Sequence, residues 1–374
     1  MNQARATPDA RQTLSQGQVY DPSASVLFKP LPRLSDRCSA EVSTNPWAVR
    51  YALWLGQPEG RMTDRTDADP ADAPRQTARV SVVIPHLNQP EFLARCLASL
   101  AAGSRRPDEV IVVDNGSGVL PQAICDAHGA RLLTEAEPGP GPARNCGVAA
   151  ASGEILAFID ADCLADPGWL AAACAAMADP AATILGGDVR IALADPARMT
   201  MLEAYESVYA YRMDRYIARE GFTGTGNLVV RRAVLQDVGT FAGIGVAEDR
   251  DWGQRATAKG YRIRFVPQMR AYHPARESLA DLCLKWDRQT AHDYVKGRAR
   301  RGGLLRFAVK ALAMAPSALA EVPALLMTDR LTGLRTRWLA FVCLVRVRAH
   351  RAKVMGHLLI TRDPGRLSGA WNRR

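Results

Sequence analysis

Asp160-Ala161-Asp162 sets two carboxylates one residue apart, directly behind the apolar run Ile155 to Ile159. A chain leaving a strand is turning, so both acids can face one point. Hard oxygen donors with open coordination positions suit Mg2+ or Mn2+, which in turn hold a diphosphate. Two solvated turn aspartates would leave the same three letters, and D-A-D alone keeps both readings open. A second acidic group, Glu248-Asp249-Arg250-Asp251, packs three acids into four residues ahead of an expected helix from Trp252 to Lys259. The helix dipole stabilises acids at such a place, so capping competes there with a general base acting on an acceptor hydroxyl. His273 closes the segment Arg262 to Tyr272, an expected strand broken at Pro267. A lone histidine is most often packed or solvated, but with a carboxylate metal site elsewhere in the chain it becomes a candidate third ligand.

The elements that would position these groups begin at Val80. Val80 to Ile84 is a β-branched run ended by Pro85, which reads as a buried strand. Apolar residues at helical spacing follow from Pro90 to Ala101, then a second strand, Val110 to Val113, stopped by Asp114-Asn115-Gly116-Ser117. A helix over Pro121 to His128, a strand over Arg131 to Thr134, a loop at Gly139 to Gly141, a helix over Ala143 to Ala151 and a strand over Glu154 to Ile159 complete the run. This alternation predicts an α/β fold, a mostly parallel sheet with helices on both faces. Ligands gather at the carboxyl ends of such strands, and Asn88, Asp114 and Asp160 all fall just after strand ends.

The chain has 374 residues, 48% of them hydrophobic and 23% charged, as in an ordinary globular protein. Its eight cysteines are scattered with no C-x-x-C, against a zinc ribbon or a disulfide scaffold. The net charge of +10 is unevenly placed: Lys296 to Arg374 holds 17 Lys/Arg against three acids, an excess of 14, which leaves −4 for the rest. Three regions are expected: an extension with a polar linker over 1–78 and a short helix near Asn45 to Leu55, an α/β domain over 79–275, and a basic helical region over 276–374. Leu304 to Met327 is interrupted by charges and prolines, and Trp338 to Val345 is short, so neither meets the roughly 20-residue length of a spanning helix. With arginines on both flanks, the second run suits an anionic leaflet; a helical pair packed on the α/β domain explains it nearly as well. Nucleic acid is not expected as a partner, since the basic run carries no recognised binding motif. No apolar leader follows the polar residues Met1 to Gln18, so the cytosol is the expected compartment.

Six stretches, in order, are Val82-Val83-Ile84-Pro85-His86-Leu87-Asn88, Val112 to Ser117, Gly141 to Gly147, Ile159 to Asp162, Gly226 to Arg232 and Glu248 to Trp252. Together they cover about half the chain, and the sequence resembles the family 2 glycosyltransferases, which have the Rossmann-like GT-A fold. The resemblance implies an inverting transfer of a sugar from a nucleotide-sugar donor to a glycan or lipid-linked acceptor in cell-surface glycan synthesis. It implies that Asp114 hydrogen-bonds the nucleobase, with Pro85 and Asn88 lining the same pocket and Arg144 facing the base or the diphosphate. Asp162 would bind the metal, Asp160 the donor ribose or sugar, and His273 the metal as well. Asp249 would be the catalytic base, Glu248 would orient it or a substrate hydroxyl, and Asn227 would line the donor or acceptor pocket. Processive members carry Q-x-x-R-W after the histidine; this chain has Lys285-Trp286-Asp287-Arg288-Gln289, so transfer of one sugar or a few is expected. A non-catalytic sugar-binding member would not need the intact acids. A nucleotidyltransferase would need a Gly-rich basic loop after the first strand, and an NAD enzyme G-x-G-x-x-G; His86 to Pro90 is neither.

Overall fold

A computed structural model describes residues 78–364, which belong to one compact unit spanning Asp67–Arg374. The expected helix near Asn45 to Leu55 lies outside the described residues.

Eight strands form one sheet: β1 (Val80–His86), β2 (Glu109–Asp114), β3 (Arg131–Thr134), β4 (Ile155–Ile159), β5 (Leu164–Ala165), β6 (Ile184–Ala192), β7 (Asn227–Arg231) and β8 (Ile263–Pro274). Their spatial order is β3-β2-β1-β4-β7-β6-β8-β5. The first four are parallel to their neighbours, as are β6 and β8, while β7 and β5 run against theirs. The sheet is thus largely parallel, as expected, with two reversed strands in its second half.

Alternation along β1 divides the core. Val80, Val82 and Ile84 pack on one face with Leu93, Leu97 and Leu100 of α1 (Pro90–Ala101) and with Trp169, Leu170 and Met177 of α4 (Trp169–Met177). Val83 faces the other way, with Ile111, Val113, Leu156 and Phe158, against α3 (Pro140–Ala150), α7 (Arg232–Val238) and α8 (Glu248–Ala258). Burying each large aliphatic side chain contributes about 1.5–3 kcal/mol, so both faces must stay covered for the strand ends to hold their geometry. Between β2 and β3 lies the short α2 (Gln122–Ala127). Two expected helices start earlier than their apolar pattern does. Helix α3 begins at Pro140, because prolines fit a first turn whose N–H groups have no intrahelical partner. Helix α8 begins at Glu248, which places Glu248, Asp249 and Asp251 inside its first turn and not ahead of it.

Strand β8 does not break at Pro267. Val266 pairs with Gly187 and Arg270 with the next residue, Asp188, so Pro267, Gln268 and Met269 bulge out of the ladder. The ring lacks an N–H to give the ladder, and a bulge accommodates that without ending the strand. Asn227 turns into this bulge. It is 0% exposed, accepts from Trp169 Nε1 at 2.8 Å, and donates through Nδ2 to the carbonyls of Asp188 at 3.0 Å and Met269 at 2.9 Å. The expectation that Asn227 lines a ligand pocket is therefore corrected: every polar atom of its amide is spent on fastening β6, β7, β8 and α4. Gly187 leaves room for it, since a Cβ there would lie 2.3 Å from Asn227 Nδ2.

Helices α5 (Met201–Tyr209) and α6 (Met213–Glu220) connect β6 to β7. After β8 come α9 (Leu279–Arg298), α10 (Gly303–Met314), a 3-10 turn over Pro316–Glu321, α11 (Val322–Met327) and α12 (Gly333–Thr361). Helices α9, α11 and α12 and the 3-10 turn pack on α5, where Ala204, Tyr205 and Val208 meet Leu282, Ala318, Leu325, Ala340, Cys343, Leu344 and Val347, while α10 packs on α9 and α12 through Phe307 and Met314. The apolar run Trp338 to Val345 is thus half consumed inside the protein.

Substituting Asn227→Ala strands the buried Trp169 N–H and two carbonyls together. It is expected to lower the unfolding free energy by about 2–4 kcal/mol, read as a lower urea midpoint at unchanged slope.

Candidate active site

A cleft of about 1230 Å³ opens at the carboxyl ends of β1 and β4. One side is made by Pro85 and the turn behind it. Asn88 takes the left-handed conformation at φ 51°, which asparagine tolerates, and its Oδ1 accepts from the Gly118 amide at 3.0 Å. Both Pro85 and Asn88 line the cleft, as do His86, Asn115 and Gly116.

Asp114 does not. It is 1% exposed, its Oδ1 lies 2.9 Å from His86 Nδ1, and its Oδ2 accepts from the amides of Gly116 at 3.2 Å and Ser117 at 2.9 Å. The Gln89 amide donates to His86 Nε2 at 3.2 Å, so the Nδ1 proton is the one given to Asp114. Burial alone would raise this carboxyl; the donors from Ser117, His86 and Gly116 hold it below its ordinary value. The expected contact with a base is corrected: Asp114 shapes the loop whose outer residues, Asn115 and Gly116, face the cleft. Asn115 in turn holds the next loop, donating to the Glu135 and Glu137 carbonyls at 3.0 and 2.8 Å.

Arg144, on α3, is 3% exposed and reaches across the floor. Its Nη2 donates to Asp160 Oδ1 at 2.6 Å and its Nη1 to Glu248 Oε1 at 2.9 Å. Burial works against the guanidinium charge, and the two carboxylates more than restore it. Arg144 lines the cleft, where it was expected to face the base or the diphosphate, and shares its charge between these two acids. Asp160 keeps Oδ2 free, because Gly226 faces it; a Cβ there would come within 2.6 Å of that oxygen.

Asp162 and His273 face one another, with Nε2 3.3 Å from Oδ2. Nδ1 lies 2.7 Å from the Pro274 carbonyl and donates to it, which directs Nε2 inward, and the Tyr211 ring lies tilted against the imidazole at 4.5 Å with its hydroxyl 3.0 Å from Nε2. Burial would raise Asp162, yet the hydrogen bond and charge of His273 hold it low; conversely, Asp162 raises His273 against its burial. An imidazole oriented by a carbonyl behind it, with its other nitrogen aimed at a carboxylate, fits Mg2+ or Mn2+. Cys163, whose sulfur lies within 4.8 Å of carboxylate oxygens of Asp160 and Asp162, is buried, and burial followed by Asp162 pushes its thiol well above the ordinary value.

Of the acids in the first turn of α8, Asp251 is held by Arg255 at 2.9 Å and serves the helix. Glu248 serves Arg144. Asp249 lines the cleft over Gly224, 3.9 Å from the position of a Cβ there. Burial, then the charge of Glu248, pushes its carboxyl up to about 6, the range of a general base working near neutrality. Sequence reasoning passed over three groups: His86, which pins Asp114; Tyr211, which covers His273; and Lys285, which reaches the cleft from α9. The left-handed backbone of Tyr211, at φ 50°, has no signature in its residue type.

Residues 81–239 match the model of glycosyl transferase family 2. The chain is 32% identical over 206 residues to glycosyltransferase AglE of Haloferax volcanii, covering 53% of this chain and 67% of that protein. It is 29% identical over 240 residues to the pre-mycofactocin glycosyltransferase of Mycobacterium tuberculosis, covering 59% of this chain and about half, 48%, of that one. Among solved structures, the mannosyltransferase PcManGT of Pyrobaculum calidifontis in complex with GDP-Man and Mn2+ aligns at a TM-score of 0.49 and 18% identity, over 88% of this chain and 98% of that one. The cleft therefore belongs to a glycosyltransferase, and the chain is a member of glycosyl transferase family 2.

Proposed function

We propose that the protein transfers a single sugar, with inversion, from a nucleoside-diphosphate sugar to the hydroxyl of a glycan or lipid-linked acceptor. The observation that carries the reading is that the Asp162–His273 pair and the raised carboxyl of Asp249 line one cleft. Inversion by single displacement asks for one base facing a leaving group held in line. Asp249 takes the acceptor proton as its oxygen attacks the anomeric carbon, and Arg144 holds Glu248 and Asp160 so that neither drifts toward that base. Pro85, Asn88, Asn115 and Gly116 form the wall suited to the nucleoside. Asp162, His273 and the free oxygen of Asp160 would hold Mg2+ or Mn2+, whose charge offsets the departing diphosphate.

A place on the cytoplasmic face of a membrane, in cell-surface glycan synthesis, is part of this proposal. Among the described residues no single helix is long and apolar enough to cross a membrane; α10 and Pro316–Met327 form a pair bent by 65°. Half of the Lys and Arg side chains of α12 are engaged within the protein: Arg337 donates to the Leu325 carbonyl, Arg348 to Glu321, and Arg351 lies 4.2 Å over Trp286, while Arg335, Arg346 and Lys353 are exposed. The apolar contact is better supplied by the bent pair, where Leu305, Val309, Leu312 and Leu319 are 71%, 58%, 82% and 68% exposed. Exposed Arg300, Arg301 and Arg306 stand at its start, and no acid occurs between Asp293 and Glu321. Such a surface favours anionic lipid over neutral lipid.

Removing divalent cations with a chelator is expected to abolish turnover, and Mn2+ or Mg2+ to restore it; full turnover without metal would end the metal assignment. For Asp249, kcat/KM should fall as pH drops through about 6 and stay flat above it, because only the ionised carboxylate accepts a proton. Asp249→Asn should reduce kcat by about 10²–10⁴. The folded pKa lies above the ordinary 3.8, so stability is lost as pH rises from 3.8 to about 6 and the full penalty holds above that, and the same variant should melt at a higher temperature at pH 7.5. On flotation at low salt, the full chain should rise with anionic liposomes and not with neutral ones, and Leu312→Asp should keep it at the bottom.

A further inference from the structure

Three cationic side chains line the cleft, and two are already matched. Arg144 bridges Asp160 and Glu248, and His273 faces Asp162. The third is Lys285, on α9, beyond the residues matched to the family model. Among the described residues no carboxylate lies within ion-pair distance of its ammonium. Glu206, the acid nearest in effect, is 1% exposed and already taken by the Arg276 guanidinium and by the Arg276 amide at 2.8 Å. The Trp286 ring, 6.0 Å away, adds little.

A cation kept partly out of water with no counter-ion is unfavourable unless something else completes it. Burial and then the neighbouring Arg276 push this ammonium down to about 8, so the cost is visible in its own acidity. The cleft lining also includes Tyr211, Met213, Tyr216 and Val189, which are apolar or neutral, and four acids. An anion entering the cleft thus finds one unmatched positive side chain, and it comes from the helical region.

We propose that Lys285 forms a phosphate-binding subsite on the wall that the C-terminal helices contribute to the cleft. A compact ammonium with three rotatable donors suits a phosphate oxygen. The inference rests on the transferase reading above, in which two ligands bring that chemistry: the diphosphate of the donor and the phosphate of a lipid-linked acceptor. It also gives the helical region a part in the reaction, since α9 is held by Leu282 and Tyr294 to both of the helical cores.

Lysine acetylation of the full chain with a water-soluble acylating reagent, at about pH 8, tests it, with Lys285 modification followed by peptide mass spectrometry. The probes are GDP or UDP with Mn2+, inorganic phosphate, and decyl phosphate. Protection of about fivefold or more by a nucleoside diphosphate assigns the subsite to the donor; protection by decyl phosphate alone assigns it to the acceptor. Lys285→Met should then weaken that same probe about tenfold, with Lys285→Arg recovering most of it and both variants melting like the wild type. Equal labelling with and without every probe, or unchanged affinities in Lys285→Met, overturns the subsite. The transferase reading fails separately, if wild-type protein binds neither nucleotide in the presence of Mn2+.

Discussion

Arg144 sits between Asp160 and Glu248 with almost no access to solvent, and the geometry of the cleft depends on that bridge. Asp160 leaves the sheet at the end of β4, and Glu248 opens α8 far along the chain. Two carboxylates brought together at the floor of a cleft repel, and each loses hydration. One guanidinium offers paired donors to both, so the strand exit and the helix start are locked at a fixed separation. Such a bridge stabilises the fold little by itself, since burial costs much of what the charges return; its loss would leave two uncompensated acids. What it fixes is position, and Asp249 inherits that position as the next residue of the same helical turn.

The bridge also separates the roles of the carboxylates. Asp160 and Glu248 have Arg144, and Asp162 has His273, whose hydrogen bond and charge hold its carboxyl low. Asp249 forms no ion pair among the described residues, lies beside Glu248, and its carboxyl is pushed up, whereas that of Asp162 is held low. Acids drawn from two short motifs thus differ in chemistry because of what stands beside each. Environment, not residue type, makes Asp249 the carboxyl suited to the part of a base in the proposed transfer.

That distinction explains which parts of the protein were legible in its sequence. Strands β1 and β2 are largely β-branched runs and β4 an apolar one, and each ends within two residues of Pro85, Asp114 or Asp160, so their position and their common end could be read directly. Metal and base candidates could be read from D-A-D and from the acids of Glu248 to Asp251. The partners of polar groups could not. Asn227 and Asp114 look like ligand contacts by type and place, yet one fastens a bulge and the other a turn. Such outcomes are settled by long-range pairing: Asn227 meets Trp169, and Asp114 meets His86. The bulge at Pro267 has the same origin, since a proline in a strand reads as a stop unless the partner strand is known.

Lys285 was hardest to see because its chemistry comes from what is missing around it. Nothing in Lys285-Trp286-Asp287 separates this lysine from any other on a helix. Only when α9 is docked does the pairing of Glu206 with Arg276 leave it without a counter-ion at the cleft wall. The consequence reaches the membrane proposal. Helix α10, with the exposed Leu305 and Leu312, packs through Phe307 and Met314 against Tyr294, on the same helix as Lys285. A lipid surface bound at α10 would therefore lie against the element that carries the unmatched charge. An acceptor with its phosphate at the headgroup level would be drawn toward the cleft by Lys285, and the sugar acceptor could be selected by where its charge sits as much as by its shape.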